Sequence, residues 1–132
     1  MVCCWQTLSW LDNPEQALLK LLDITKPGGK IYLSSLFNLE FDVDIYSQVT
    51  DYSQKSGEDN IPFSYNTYSK FTIDNWLKGR VKSHVIHEFI PEIDFEYQGR
   101  GIGTHTKKVN DNRRLQFSGG MLMNWGVLEI SK

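Results

Sequence analysis

The stretch from Asn13 to Leu36, NPEQALLKLLDITKPGGKIYLSSL, narrows the choice of fold more than any other part of the chain. Asn13 is a good helix cap, Pro14 suits the first helical position, and Gln16 completes the spacing of a capping box. The pattern predicts a helix from Pro14 to about Thr25. Ala17, Leu21 and Ile24 recur at helical spacing with Leu18 and Leu22 beside them, a stripe broad enough to lie on a sheet. Lys26 favours the negative end of the helix dipole, and Pro27 stops the helix. Gly28 and Gly29 then permit a tight reversal, because a residue without Cβ reaches positive φ at little cost. The following KIYLSSL is apolar on both faces, as a central strand of a covered parallel sheet is. VCCW at Val2–Trp5 reads as a short buried strand ahead of the helix, so the whole is a βαβ crossover, right-handed by the general rule.

The rest of the chain is less sharply written. QTLSWLD reads as a loop, Asp42 to Lys55 as a polar helix, and GEDNIPFSYNTYS as a loop. IDNWLKGR predicts a second helix, capped by Thr72, with Gly79 near its end. VKSHVIHEFIPEIDF is extended, and GTHTKKVNDNRRLQFSG is a hairpin with Asn110-Asp111-Asn112 at its tip. MLMNWGVLEIS is a last strand, antiparallel to its partner. There is no internal repeat and no low-complexity tract.

Bulk properties exclude several classes. A length of 132 residues suffices for one domain with a real core. Lys plus Arg number 14 and Asp plus Glu 16, a net charge of 14 − 16 = −2, which argues against a nucleic-acid binder that works by neutralising phosphates. The densest basic stretch, Lys107, Lys108, Arg113 and Arg114, is short and reads as a solvated hairpin face. The 2 cysteines, Cys3 and Cys4, are neighbours that point to opposite faces of extended chain, so no disulfide framework is expected and a cytoplasmic setting is. No run approaches the ~18 apolar residues of a membrane span. MVCCWQTL is apolar and strand-like from its second residue, which leads us to expect a strand belonging to something larger.

The order of these elements resembles a known family. VCCWQTLSWLDNPEQALLKLLDITKPGGKIYLSSLF is similar to the middle of class I S-adenosylmethionine-dependent methyltransferases, where a strand ends in a substrate-proximal loop and a helix of the form aLxxLxxxLKPGGxLxxS leads to the next strand. ALLKLLDITKPGGKIYLSS carries the likeness, and the FTIDNWLKG helix and the closing WGVLEISK strand follow in the family's order. The resemblance covers essentially the whole chain but only the C-terminal half of the family's fold. It implies an α/β class, the rear half of a Rossmann-like sheet, mixed parallel with an antiparallel final strand. It also implies a single partial domain over residues 1–132, without the N-terminal half whose Gly-rich turn and acidic residue hold the cofactor. The expected function is the C-terminal portion of a methyltransferase acting on a small-molecule acceptor and needing that half for activity. S-adenosylmethionine is the implied cofactor, bound weakly or not at all by this chain alone. The alternative is a non-enzymatic α/β remnant serving as an oligomerisation or interaction module. Half a doubly wound sheet exposes an edge, so a homo-oligomer with Val2–Trp5 at or near the interface is expected, and neither nucleic acid nor membrane is.

In the resembling enzymes the loop after the fourth strand faces the methyl group, and here that loop holds Trp5, Gln6, Thr7 and Leu8. The resemblance makes Trp5, Gln6 and Thr7 the cofactor-side residues, with Gln6 a hydrogen-bonding group and Trp5 either a pocket wall or core. His105, on the family's substrate side, is the candidate catalytic base, with a surface histidine as the plainer alternative. Other signals are weaker. His84 and His87 are three apart in an extended segment and face opposite ways, so they make no metal pair. Glu40, Asp42 and Asp44 would share one face if extended and suit a divalent cation, although such acids are usually solvated. Gly99-x-Gly101-x-Gly103 imitates a dinucleotide turn, but the residues after it alternate instead of opening a helix. Tyr46, Tyr52, Phe63, Tyr65, Tyr68 and Trp76 either line an acceptor pocket or complete the core.

Overall fold

The computed structural model describes residues 1–50, 52, 61–96, 105–118 and 121–132. Strand β1 (Val2–Trp5) leads through a single 3-10 turn at Leu8–Trp10 into helix α1 (Pro14–Ile24), and strand β2 (Lys30–Asn38) follows. Three short strands come next: β3 (Gln48–Val49), β4 (Phe63–Ser64) and β5 (Tyr68–Ser69). Helix α2 (Lys70–Leu77), strand β6 (Ser83–Phe89), the hairpin of β7 (His105–Asn110) and β8 (Arg113–Ser118), and the long β9 (Met121–Ser131) complete the chain.

β1 runs parallel to β2, with Val2 opposite Ile31 and Trp5 opposite Ser34. β9 lies against the other side of β2 and is antiparallel to it, and β6 pairs antiparallel with β9 in turn. β2 and β6 are therefore parallel to each other with the last strand reversed between them. β5 joins β2 in parallel at Phe37 and Asn38, on β1's side, because β9 already pairs with Phe37 from the other. β8 pairs with the first residues of β9, Met121–Met123, so the β7–β8 hairpin extends the sheet at the carboxyl end of β2. The result is a mixed α/β architecture with a mixed parallel and antiparallel sheet. No helix among the described residues is long and apolar enough to cross a membrane.

Side-chain alternation decides which face becomes core. Ile31, Leu33 and Phe37 of β2 join Leu128 and Ile130 of β9, Leu18 and Leu22 of α1, and Ile73 and Leu77 of α2 in one buried cluster. Both helices thus pack on the same face of the sheet. Each of these buried apolar side chains contributes about 1.5–3 kcal/mol. Gly126 marks the tightest point: a Cβ there would lie 2.7 Å from the Phe37 ring and 2.9 Å from Ile86 Cγ2.

The sequence reading holds for β1, α1, β2, β6, the hairpin tip and the antiparallel last strand, and it needs correction elsewhere. β1 is an edge strand, not a buried one: Cys3 is exposed and Trp5 is 63% exposed, because only the Val2 and Cys4 side packs on the core. In α1 the buried line is Pro14, Leu18 and Leu22. Ile24, about 200° round the helix from Leu22, points to solvent at 69% exposure. The two glycines of the turn serve different ends. Gly28 has φ +76°, whereas Gly29 is needed for space, since a Cβ would stand 2.7 Å from Thr25 Cγ2 and 2.8 Å from the Lys26 carbonyl oxygen.

The described part of the expected 42–55 helix is extended instead. Ile45 bridges Thr67 through a pair of 2.9 Å backbone hydrogen bonds, and β3 pairs with β4. Tertiary pairing satisfies that backbone, so a segment without an apolar helical stripe has no reason to coil. Residues 51 and 53–55 lie outside the described residues, as do residues 57–60 of the expected loop. The remainder of that loop forms β4 and β5. QTLSWLD holds the 3-10 turn. Finally, Ser69, not Thr72, caps α2: its Oγ accepts the Thr72 N–H at 3.3 Å. β5 runs directly into α2, so the extended residue at the boundary is Ser69 (φ −73°, ψ 160°). Gly79 ends α2 at φ +70°, as read from the sequence.

Candidate functional site

The carboxyl ends of β1 and β2 are built around an unusual backbone. Gln6 follows β1 at φ +49°, a left-handed conformation that costs a non-glycine residue about 1–2 kcal/mol. Its N–H donates to the Ser34 carbonyl at 2.9 Å and lies 3.1 Å from Ser34 Oγ, so β2 holds the kink in place. Thr7 Oγ1 donates back to the Trp5 carbonyl at 2.9 Å. Ser9 Oγ and Ser35 Oγ, both buried, sit 2.9 Å apart and tie the 3-10 turn to β2. The three loop residues expected from sequence, Trp5, Gln6 and Thr7, therefore form one local unit with a fixed exit from the sheet. The exposure of Trp5 settles its alternatives against core.

A second layer covers this exit. The Asn66 N–H donates to the Ser9 carbonyl at 2.8 Å, which seats the β3–β4 ribbon beside the 3-10 turn. The ribbon has two faces set by alternation. Phe63 and Tyr65 lie against Trp10, with ring centroids 5.1 and 4.9 Å away. On the other side Tyr46, Gln48, Ser64 and Asn66, together with Ser47 and Asp12, line a cleft of about 290 Å³. Ser64 Oγ donates to Asp12 Oδ1 at 2.9 Å. Asn66 is the buried spine: its Oδ1 accepts the Ser47 N–H at 3.1 Å, its Nδ2 donates to the Tyr68 hydroxyl at 3.1 Å, and Ser47 Oγ donates to the Tyr65 carbonyl. Of the six aromatic residues singled out in sequence, Tyr46 lines this cleft. Phe63 and Tyr65 back it, and Tyr68 and Trp76 pack together at 5.0 Å in the interior.

Asp44 anchors the segment that carries Tyr46. It accepts from the Ser69 N–H at 2.7 Å, Ser69 Oγ at 2.8 Å, Thr72 Oγ1 at 2.6 Å and the Tyr46 hydroxyl at 3.4 Å. Burial works to raise its pKa, but the Ser69 amide and the Thr72 and Ser69 hydroxyls together outweigh that and hold it below the usual carboxylate value. Burial, then the Asp44 charge, pushes the Tyr46 phenol above its usual value, which keeps it protonated and a donor at neutral pH.

The cation site considered for Glu40, Asp42 and Asp44 is not assembled. Glu40 accepts from Arg113 Nη2 at 2.6 Å while Asp44 is engaged by Ser69 and Thr72, and no group of three potential metal ligands occurs among the described residues. His84 pairs with Asp74 at 2.7 Å and His87 with Glu129 at 3.2 Å, on opposite faces of β6 as expected. A wider cleft of about 730 Å³ opens where Glu40, Glu88 and Ile90 meet the hairpin tip at Asn110–Arg113. Arg113 serves both carboxylates there, Glu40 at 2.6 Å and Glu88 at 3.8 Å, and Lys108 reaches Asp111 at 2.9 Å.

His105 opens β7 opposite Phe117, at the end of the hairpin away from that tip. β7 pairs with β8, whereas Trp5, Gln6 and Thr7 stand at the end of β1 beside β2. The Gly99-x-Gly101-x-Gly103 turn lies outside the described residues. The sequence reading missed Asp12, Gln48, Ser64 and Asn66. A signal existed in the alternation of Phe63, Ser64, Tyr65 and Asn66, the period of a two-faced ribbon. Set against models of known protein families and against curated proteins, the sequence matches none of them.

Proposed function

We propose that this chain forms the rear portion of an S-adenosylmethionine-dependent methyltransferase domain, Rossmann-like in its sheet, acting on a small-molecule acceptor. The observation that carries the reading is the parallel register of Val2–Trp5 with Ile31–Ser34 across α1 and the Gly28-Gly29 turn. A closing strand reversed between β2 and β6 supports it, since the resemblance asks for an antiparallel final strand. So does the cleft's place on the ribbon seated against the 3-10 turn that follows β1, since open α/β sheets place ligands beyond the carboxyl ends of their strands.

The residues present fit one side of such a cofactor. Trp5 offers an exposed ring, Gln6 an amide and Thr7 a hydroxyl, but none of the three carries charge to meet the ligand's amino and carboxylate groups. S-adenosylmethionine, when bound, supplies an electrophilic methyl group on sulfur. The tasks left to this chain are to hold the acceptor in line, to orient it and to keep water out. The Gln6 kink fixed by Ser34 sets the floor, and the β3–β4 ribbon seated on Ser9 sets the acceptor side. A general base must stand within hydrogen-bond reach of the acceptor, and His105 is the residue proposed for that role.

Calorimetry tests the reading in two arms. The chain alone is expected to give weak or no S-adenosylmethionine binding, and the chain extended by its upstream coding sequence a one-to-one isotherm. A tight isotherm from the chain alone would show the cofactor cradle lies within it. An extended chain that binds nothing, or whose added sequence lacks a Gly-rich strand–turn–helix, defeats the reading. One observation favours a second reading as an interaction module: the outward backbone edge of β1. The Gln6 amide faces β2, so by alternation those of Cys3 and Trp5 face away from it, where the described residues offer no partner strand.

A further inference from the structure

The cleft on the polar face of the β3–β4 ribbon has a lining whose chemistry selects a ligand. We propose that it is the acceptor subsite, and that it takes a small primary amine carrying a ring or hydroxyl group, with Asp12 as the positioning residue that meets the ammonium. This rests on the methyltransferase reading only for the word acceptor; the recognition itself follows from the lining.

Among the described lining residues Asp12 is the one with a charge, and no described Lys, Arg or His joins it. Its Oδ1 takes the Ser64 hydroxyl at 2.9 Å, which fixes the carboxylate and leaves Oδ2 as an acceptor. Tyr46 adds an aromatic ring to the same cleft, held edge-on to Tyr68 with centroids 6.1 Å apart. A fixed carboxylate beside an aromatic face is the combination that attracts an ammonium group, through a charge-assisted hydrogen bond and the ring quadrupole together. Asp44, which accepts the Tyr46 hydroxyl at 3.4 Å, adds negative potential next to that ring. Gln48 contributes a neutral amide able to meet a hydroxyl, whereas both ends of the Asn66 amide are already engaged in building the wall. A volume of about 290 Å³ is at the small end of ligand sites, which limits the occupant to about one ring with a short side chain. An anion of the same size would meet Asp12 without a compensating cation among the described lining residues.

Tyramine and 4-hydroxyphenylacetate test this directly, being similar in size and shape with opposite charge. Each is titrated into the ¹⁵N-labelled chain with no S-adenosylmethionine present. Tyramine is expected to shift the amides of Gln48, Ser64 and Asn66 saturably, and 4-hydroxyphenylacetate is not. Asp12→Asn is expected to weaken tyramine about tenfold, the size of one charge-assisted hydrogen bond. Asp23→Asn, on the exposed face of α1, is expected to change nothing. Ser64→Ala, which frees the carboxylate without removing its charge, gives a smaller loss and reports on the site should Asp12→Asn unfold. Equal binding of the two probes, binding indifferent to both variants, or no saturable shift at about 10 mM overturns the proposal. The outcome separates from that of the cofactor test. Failed titrations beside a cofactor-binding extended chain sink the subsite alone, and saturable tyramine binding in a chain whose extended form binds no cofactor sinks the methyltransferase reading alone.

Discussion

Asp44 shows how one side chain can hold a region that its local sequence leaves undetermined. With four hydrogen bonds it ties the segment carrying Tyr46 to the first turn of α2, and its folded pKa lies below the ordinary 3.8. A carboxyl group depressed by folding contributes stability that is fully present above its unfolded value and is lost as pH falls through the folded one. Asp44→Asn is therefore expected to cost about 1–2 kcal/mol at pH 7, in the range of a lost helix cap. The wild-type advantage should shrink below about pH 3.8. Urea midpoints at pH 7 and pH 3 check this, and a difference between the two proteins that does not change with pH would remove Asp44 from that role. Gln6 is the opposite kind of residue, one whose backbone is held against its preference by Ser34. Nothing in WQTL marks it in sequence, because the left-handed turn is imposed by the partner strand.

Elements differ in how much of their placement is written locally. Helix α1 was legible because its cap, its proline and its stripe all agree: Asn13 Oδ1 accepts the Gln16 N–H at 3.2 Å, and Pro14 opens the helix. β2 was legible because a strand paired on both sides and buried in its centre carries apolar residues on both faces. β3, β4 and β5 were not, since strands of two residues have no period to detect, and they exist through Asn66, Ser9 and Phe37 rather than through propensity. The polar cleft left only the short alternation of Phe63, Ser64, Tyr65 and Asn66, which does not show that Asp12 and Tyr46 join it. Close packing between β9, β2 and β6 gives an element-scale prediction. Gly126→Ala places a Cβ 2.7 Å from the Phe37 ring with Ile86 behind it, and is expected to destabilise by about 1–3 kcal/mol. A chemical-denaturation midpoint unchanged from wild type would mean the three strands are not packed so closely.

At the scale of the molecule, both helices cover one face of the sheet, while Trp5 and Val85 on the other face are exposed at 63% and 47%. β1 at the edge is uncharged and contains no proline, so it lacks the usual devices that keep sheet edges apart. We expect self-association at high concentration, seen by light scattering, and we expect Cys3→Lys to reduce it by placing a charge on the edge. A clean monomer in both proteins would turn the second functional reading away.

The sequence alone determined the βαβ unit, because caps, helical periodicity, the glycine turn and the apolar run are local signals that need no partner. It also determined the reversed last strand and the hairpin tip. Only the tertiary structure decided that β1 is an edge and that both helices share a face. It alone assembled Asp12, Tyr46 and Ser64 into one cleft. Those outcomes depend on which strands lie beside one another, and strand neighbours far apart in the chain are chosen by burial and hydrogen bonding across the whole sheet.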